Sequence, residues 1–335
     1  MSGGVDSTAS ALLLRQKYQV HGFFMQLIQP NLSEQLQRVK EVAERCGIPL
    51  IVIDLRQRFE EKVLKYFSDT YHAGRTPNPC MICNREIKFG LFMDAIFEHG
   101  MTCMATGHYA NIIEKEGCFY LQQGRDEKKD QSYFLARLSQ RQLAGIQFPL
   151  AKMTKEKTYN FIENHGFHDF RGQESQDVCF LDNKSVGHFL QSRTSAPNTE
   201  GDIVHIDGRI LGHHKGIVNY TIGQRRGLGI AASAPLYVVT IDAAANRIIV
   251  GDNNALYRKD IELKNISWNC DQPPNSQQEY RVRIRYGQKS QLARINRIAE
   301  DHYAITFAEN QRAVSPGQFA VIYKDDLVLG SGEIQ

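Results

Sequence analysis

The residues whose chemistry is easiest to interpret lie at the start of the chain, in the run Met1, Ser2, Gly3, Gly4, Val5, Asp6 and Ser7. Adjacent glycines allow the backbone to turn sharply and to approach a ligand closely. The apolar residues that follow recur with helical spacing, so the turn should lead directly into a helix. Free N–H groups at a helix N-terminus, together with the positive end of the helix dipole, bind phosphate. The run lacks the GxxxxGK[ST] spacing of a Walker loop, and a simple helix cap is the alternative interpretation.

Two cysteines, Cys80 and Cys83, follow a proline-rich loop and precede a predicted helix. A cysteine near a helix N-terminus is expected to have a lowered thiol pKa, which favours the reactive thiolate. The C-x-x-C spacing could also form half of a zinc site, but the sequence has no second such pair and no histidine pair with ligand spacing, which disfavours zinc. A thioredoxin-type pair is disfavoured because the surrounding sequence is not a redox βαβ unit.

The other cysteines carry no chemical signal of their own. Taken alone, Cys179 would be a buried small apolar residue, and the same interpretation applies to Cys46, Cys103, Cys118 and Cys270. We expect Cys46 on a helix and Cys103 in a strand. The chain has seven cysteines and no secretory signal, so we expect free thiols in a reducing compartment, not a disulfide framework.

The first half of the chain alternates predicted strands and helices, which is the pattern of a parallel α/β sheet. Strands are predicted at 20–25, 50–54 and 101–106, and helices at 33–46 with Ser33 as the cap, around 59–67 and at 85–98. Ligands bind at the C-terminal ends of parallel strands, where Met25 and Gly107 lie. A phosphate loop of this kind should follow a β-strand, so we expect the first strand to be missing from this sequence.

After about residue 187, short β-like runs replace this alternation. They lie at 203–206, 236–241, 247–250, 280–286, 302–307 and 319–323. Short strands separated by Gly, Pro and Asn predict small β domains, the last of them a barrel. We therefore expect three domains: an α/β catalytic domain at 1–190, a small β-rich domain at 191–255 and a C-terminal β-barrel at 256–335.

The chain of 335 residues carries a formal net charge of +3. Any nucleic-acid binding must therefore depend on local basic patches. One such patch is predicted where Arg281, Arg283 and Arg285 alternate along a strand beside Tyr286, although a solvated strand face has the same pattern. No signal peptide and no apolar run of transmembrane length is present, so we expect a cytoplasmic protein without membrane contact.

Eight segments together resemble the bacterial tRNA-specific 2-thiouridylase family (MnmA/TrmU type), and the resemblance extends over nearly the whole chain. They are SGGVDS at 2–7, GRTPNP at 74–79, CNREIKF at 83–89, ATGHY at 105–109, KDQSYFL at 129–135, SQDVCF at 175–180, YTIGQRRGLG at 220–229 and SPGQ at 315–318. The first segment also resembles the pyrophosphate (PP) loop of the N-type ATP pyrophosphatases, which cleave ATP to AMP and pyrophosphate. So many motifs in the same order do not arise by chance.

The resemblance implies a reaction. ATP, with Mg²⁺, would adenylate the 2-oxygen of the wobble uridine in the anticodon loop of tRNA, so that a poor leaving group departs as part of AMP. A persulfide on Cys179 would supply the sulfur, received from a donor such as a cysteine desulfurase or a sulfur-relay protein. Cys83 would either attack this persulfide to release hydrosulfide or take the carrier's sulfur into a disulfide.

The resemblance also assigns binding residues. Contacts to ATP fall on Met1, Ser2, Gly3, Gly4, Val5, Asp6, Ser7, Met25 and Gly107. Contacts to the target base fall on Asn78, Pro79 and Cys80. Contacts to the rest of the tRNA fall on His108, Lys129, Asp130, Gln131, Arg285, Tyr286 and Gln318.

Two departures from the family pattern keep other functions open. Cys80 stands where many relatives carry Asp, a candidate acid or base, and a neutral thiol cannot perform the same proton transfer. The segment 26–31 is short and lacks the acidic and aromatic residues expected there. The alternatives are another PP-loop enzyme, such as an amide-forming ligase or a lysidine-forming tRNA enzyme, and a non-catalytic tRNA-binding paralogue.

Overall fold

The computed structural model describes residues 1–170, 178–181, 185–193, 199–271 and 273–335. The α-helices in these ranges are α1 (Val5–Arg15), α2 (Leu32–Arg45), α3 (Arg56–Phe59), α4 (Lys65–His72), α5 (Pro79–Ile82), α6 (Phe92–Glu98), α7 (Ser132–Leu135), α8 (Gln140–Ala144), α9 (Lys155–Glu163) and α10 (Val186–Gln191). The stretches Glu60–Leu64 and Cys83–Leu91 are π-helical and join α3 to α4 and α5 to α6. Such turns are rare and are frequent at functional sites.

The strands divide between the domains. They are β1 (Gly22–Gln26), β2 (Leu50–Asp54), β3 (Met104–Ala105), β4 (Ala110–Lys115), β5 (Cys118–Gln123), β6 (Ile146–Gln147), β7 (Gly201–His205), β8 (Ile210–His214), β9 (Tyr237–Asp242), β10 (Arg247–Gly251), β11 (Tyr257–Trp268), β12 (Glu279–Arg283), β13 (Gln291–Ala299), β14 (His302–Arg312), β15 (Phe319–Lys324) and β16 (Leu327–Ile334). Every predicted strand has a counterpart, whereas the sequence analysis did not predict β4, β5, β6, β8, β11, β13 and β16.

The first domain contains parallel strand pairs, which confirms the predicted parallel α/β fold. Strand β1 pairs with β2 and strand β3 pairs with β6, both in parallel register. In the part of the chain that the structure describes, these pairs form separate two-stranded sheets. A cavity of about 820 Å³ is lined by residues of both pairs, among them Phe23 and Met104. The strand expected before the phosphate loop stays a prediction, as do the domain boundaries.

Some local predictions are wrong at the level of single residues. Helix α2 begins at Leu32, directly after Asn31 in the left-handed region with φ 52°, so Ser33 is not its cap. Strand β3 is shorter than the predicted strand at 101–106, and Cys103 lies before it and is exposed. The predicted helix at 85–98 instead begins at Pro79, because proline is well suited to the first position of a helix.

Cys118 and Cys270 form a disulfide bond, although both were predicted to be buried and without chemistry. The bond joins the start of β5, a strand of the first domain, to the segment that follows β11 in the last domain. The two cysteines are 152 residues apart in sequence, so their pairing leaves no sequence signal. Among the described residues, Cys46, Cys80, Cys83, Cys103 and Cys179 are free, so the expectation of free thiols holds only for these five.

The second half of the chain forms two β structures. Strands β8, β7, β10 and β9 make a four-stranded sheet in that order, whose apolar face includes Ile203, Val238 and Ile248. Strands β11, β14, β13, β12, β15 and β16 follow one another, and pairing of β11 with β16 closes them into a barrel. This closure confirms the predicted C-terminal β-barrel. The hairpin of β4 and β5 pairs with strand β16 of the barrel, where Leu327 lies opposite Gln122 of β5.

The barrel docks on the loop that leads to Cys80 and Cys83. The backbone N–H of Thr76 donates to the carbonyl of Pro316 at 2.8 Å. The side chain of Gln318 donates to the carbonyls of Thr76 and Pro77 at 3.2 and 2.9 Å. Gly317 has φ 89°, and a Cβ there would lie 2.9 Å from the carbonyl oxygen of Thr76. Both the backbone angle and the close contact require glycine at this position.

We predict that Gly317→Ala destabilises the docked barrel. Left-handed backbone costs a residue with a side chain about 1–2 kcal/mol, and the contact with Thr76 adds to this cost. Gly287→Ala is the matched control, because Gly287 has φ 77° but nothing within 4 Å of an added Cβ. Thermal unfolding of the two variants gives the comparison. Equal melting temperatures of the two variants would show that the contact with Thr76 does not contribute to stability.

Candidate active site

The run at 2–7, called the phosphate loop after its predicted role, lies at the start of α1, where the sequence analysis placed it. Gly4 occupies the N-cap position, and no side chain among the described residues caps the helix there. Gly3 has φ 76°, in the left-handed region that favours glycine. A Cβ on Gly107 would lie 2.7 Å from the backbone carbon of Asp6, so the turn after β3 packs directly against the loop. The geometry is that of a loop whose N–H groups are available to a ligand.

The Asp6 carboxylate, which is 33% exposed, is held by side chains of the protein. The ammonium of Lys155 lies 2.9 Å from both of its oxygens. The Tyr109 hydroxyl lies 2.9 Å from Asp6 Oδ1 and 2.9 Å from the hydroxyl of Thr158. The Lys155 side chain is only 11% exposed, and its charge also lies over the rings of Tyr109 and Tyr159. Asp6 is therefore oriented by α9, an element that the sequence did not connect to the loop.

Cationic side chains surround the phosphate loop. A cavity of about 590 Å³ is lined by residues 2–6 together with Arg38, Lys129 and Lys155. The Arg38 guanidinium lies 5.3 Å from the centre of the Phe170 ring. Three cations beside free N–H groups at a helix start are suited to a polyphosphate. In the described ranges no cluster of three His, Cys, Asp or Glu side chains could hold a metal ion.

The structure brings Cys80, Cys83 and Cys179 into one neighbourhood. Cys80 lies in α5, and Cys83 begins the π-helical stretch that follows it. The charge of Cys179 acts on the thiols of both other cysteines. Cys83 also packs in the same apolar cluster as Phe180, the residue after Cys179. Residues 175–177, which precede Cys179 in its motif, lie outside the described residues.

The thiols are not activated by their position on the helix, which is a correction to the sequence analysis. Burial raises the pKa of Cys83 to about 12 and that of Cys80 to about 11. Burial also raises the pKa of Cys179, although part of this residue is exposed. Loss of water around a thiolate raises the pKa by more than the helix start lowers it, because α5 is only four residues long. All three thiols are therefore protonated in the free protein at neutral pH.

The residues predicted to contact the target base lie at the docked loop. The side chain of the buried Asn78 accepts a hydrogen bond from Met81 N at 3.3 Å and donates to Gln318 at 3.4 Å. Pro79 is buried at the first position of α5, and Cys80 is half-buried. Gln318 therefore positions this loop from the barrel. Its predicted contact with tRNA stays a prediction.

The other predicted tRNA contacts divide into exposed and internal groups. Arg285 and Tyr286 are exposed, and the Tyr286 ring lies 4.4 Å from that of Phe134. Lys129, Gln131 and Tyr286 line the 590 Å³ cavity beside the phosphate loop. This set is placed where an incoming nucleotide chain could reach both the loop and the barrel.

Asp130 is enclosed by protein, whereas His108 is half-buried beside the 820 Å³ cavity. The Asp130 side chain is 1% exposed, and its carboxylate pairs with Arg283 at 2.8 Å. It also accepts hydrogen bonds from Gly124 N and from the Ser132 hydroxyl. Arg283 therefore does not share the free arginine face predicted for its strand. Burial and the charge of Lys88 lower the pKa of His108 well below its usual value.

Met25 and Gly107 lie beside the phosphate loop, and their predicted contact with ATP stays a prediction. Met25, Gly107 and His108 line the 820 Å³ cavity together with Ser2 and Ser7. The sequence analysis missed Lys155, Tyr109 and Arg38 as partners of this site. Tyr109 directly follows the predicted contacts, so proximity in sequence could have identified it. Lys155 and Arg38 come from other helices and gave no local signal.

Comparison with known proteins supports the family resemblance found in the sequence. A phosphate loop on a parallel α/β unit, followed by two β domains, defines a three-part protein whose first part belongs to the HUP class. A family model described as the tRNA methyl transferase HUP domain matches residues 1–183. The tRNA methyl transferase PRC-barrel domain matches residues 187–252, and the aminomethyltransferase beta-barrel domain matches residues 258–334.

Relatives match over the full length of the chain. The tRNA-specific 2-thiouridylase MnmA of Desulfotalea psychrophila is 50% identical over 100% of this chain and 97% of its own. The protein of the same name from Syntrophotalea carbinolica is 43% identical, also over 100% and 97%. The chain therefore belongs to the tRNA-specific 2-thiouridylase family. Membership confirms the prediction of an enzyme of tRNA modification, a tRNA-uridine 2-sulfurtransferase. No helix in the described ranges is long and apolar enough to cross a membrane.

We predict that Lys155→Met weakens ATP binding at least tenfold, a loss of about 1.4 kcal/mol. Without the ammonium, the Asp6 carboxylate is left unpaired beside the loop and repels the phosphates. Lys152→Met is the matched control, because Lys152 is exposed on the segment just before α9. Titration calorimetry with a non-hydrolysable ATP analogue measures the effect. Unchanged affinity in Lys155→Met would contradict the role given to the ion pair.

We predict that alkylation of Cys83 in the free protein rises about tenfold per pH unit and does not level off below pH 10. The raised pKa means that the thiolate fraction keeps increasing with pH, whereas an ordinary thiol levels off near its pKa of about 8.5. Iodoacetamide labelling followed by peptide mass spectrometry measures the rate. A plateau below pH 8 would show that this thiol is activated without a ligand.

Proposed function

We propose that the chain thiolates position 2 of the wobble uridine in tRNA, through an adenylated uridine and a persulfide on Cys179. The observation that carries this proposal is one shared cavity. Its lining includes Ser2, Asp6, Ser7, Met25, Lys88 and Gly107. Lys88 also acts electrostatically on Cys83 and Cys179. Lys88 thus connects the cavity of the predicted nucleotide contacts to the cysteine cluster, which supports the action of both on one substrate atom.

In the first step the uridine 2-oxygen attacks the α-phosphate of ATP, an O–P bond forms, and pyrophosphate leaves. The N–H groups at the start of α1 and the three cations of the 590 Å³ cavity would hold the phosphates. Mg²⁺ would neutralise part of the phosphate charge. Because the described residues contain no metal cluster, phosphate oxygens would supply most of its ligands.

In the second step sulfur replaces the adenylated oxygen. The persulfide sulfur on Cys179 bonds to C2 of the base, the C2–O bond breaks, and AMP leaves with the oxygen. The Cys83 thiolate then attacks Sγ of Cys179, which forms a disulfide and leaves the electrons of the broken S–S bond on the transferred sulfur. If Cys83 attacks first, hydrosulfide is the nucleophile and the products are the same. A dithiol must then reduce the disulfide.

The tRNA side of the proposal rests on surface chemistry. The exposed Arg285 suits phosphate contact, and the exposed ring of Tyr286 suits base stacking. A wobble base lies in a single-stranded loop, where proteins read splayed bases. The sulfur donor would be a cysteine desulfurase or a relay protein that carries a persulfide. It would need access to Cys179, which is exposed.

We predict distinct failures for the two thiols in a reconstituted reaction with tRNA, ATP, cysteine, a cysteine desulfurase and a dithiol. Cys179→Ser should form no 2-thiouridine and keep tRNA-dependent release of pyrophosphate, because Cys179 is not part of the phosphate loop. Cys83→Ser should also form no product but should accumulate a persulfide on Cys179. Nucleoside analysis and mass spectrometry of the protein are the measurements.

Cys103→Ser is the control, because Cys103 is an exposed free thiol outside the cysteine cluster. Persulfide on Cys83 and none on Cys179 would reverse the two roles. Absence of tRNA-dependent pyrophosphate release from the unmodified protein would favour a non-catalytic tRNA-binding paralogue. Pyrophosphate release without thiolation, with both cysteines intact, would favour another PP-loop reaction.

A further inference from the structure

Lys88 is a half-buried cation between the phosphate loop and the cysteines. It lies in the π-helical stretch Cys83–Leu91, five residues after Cys83. A π-helix repeats after somewhat more than four residues, so this stretch brings Lys88 closer to the face of Cys83 than an α-helix would. The side chain lines the 820 Å³ cavity with Ser2, Ser7 and His108.

The charge of Lys88 acts on three thiols, on an imidazole and on the N-terminal amine. The charge of Lys88 favours the thiolates of Cys80, Cys83 and Cys179. It disfavours the cationic forms of His108 and of the Met1 amine, and both of these residues line the 820 Å³ cavity with it. Within the described ranges no carboxylate pairs with this ammonium, in contrast to Lys155 and Lys62, which pair with Asp6 and Glu86.

A half-buried ammonium without an anionic partner is costly unless a ligand supplies one. Sulfur transfer supplies two anions in succession. The attacking sulfur is a thiolate or persulfide, and the leaving group is the phosphate of AMP. In a site poor in water, a fixed cation near both would stabilise the charge as it moves from sulfur to phosphate.

We propose that Lys88 is a catalytic residue of the sulfur-transfer step, which contacts the phosphate of the adenylated uridine and stabilises the sulfur anion that attacks it. This role rests on the proposed function and goes beyond it, because it assigns the second step to a residue outside the cysteines and the phosphate loop. Lys88 forms no covalent bond and keeps its proton throughout. The reaction balance is therefore that of the two steps already described.

The proposal predicts that Lys88→Met slows 2-thiouridine formation at least 100-fold in single turnover while tRNA-dependent pyrophosphate release changes less than threefold. Lys88→Arg should restore part of the thiolation rate, because the charge is kept. Lys62→Met is the matched control, since Lys62 pairs with Glu86 at 3.2 Å on the exposed side of the neighbouring helix. The proposal would be overturned if Lys88→Met slowed thiolation and pyrophosphate release equally, or slowed neither of them.

A second measurement is independent of turnover. Without the Lys88 charge, alkylation of Cys83 at pH 9 should slow by up to about tenfold, the change that one pKa unit produces. Alkylation of Cys103 is the internal control, because burial alone raises its pKa. Unchanged labelling of Cys83 in Lys88→Met would count against the proposal even if that variant had lost activity through misfolding. A failure of the unmodified protein to thiolate tRNA would instead overturn the proposed function.

Discussion

The site depends on one close contact, that of Gly107 with the backbone of Asp6. Any side chain at position 107 would collide with the loop, because an added Cβ would lie only 2.7 Å from the Asp6 carbonyl carbon. This contact sets the phosphate loop against the end of β3. Lys155 and Tyr109 also hold the Asp6 carboxylate. These contacts fix the start of α1, which suits the phosphate binding proposed for it.

A second constraint is the conflict between burial and reactivity at the cysteines. Burial raises the pKa of Cys83 to about 12. A protonated thiol is a poor nucleophile, so the free enzyme is held in an unreactive state. The reaction then needs a positive charge and a bound substrate to produce the thiolate. The position of Lys88 links that requirement to the nucleotide side of the cavity.

The barrel contributes to the site through its docking and not only through its surface. Gln318 and Pro316 bond the backbone of the loop that precedes α5, and the buried pair of Arg283 with Asp130 joins the barrel to the segment next to Lys129. A buried ion pair of this kind is strongly destabilised when either partner is removed. The barrel is therefore in direct contact with the loop that positions Cys80 and Cys83.

The sequence by itself determined the class of fold and indicated the family, because hydrophobic periodicity and short contiguous motifs are local properties. The same motifs imply the roles proposed for the phosphate loop and for Cys83 and Cys179. Only the tertiary structure decided how Asp6 is paired, that Asp130 is internal, and that Cys118 bonds Cys270. These contacts join residues far apart in the chain and leave no local pattern. The thiol pKa values also required the fold, since burial is a property of packing and opposes what the position of Cys80 and Cys83 near a helix start had indicated.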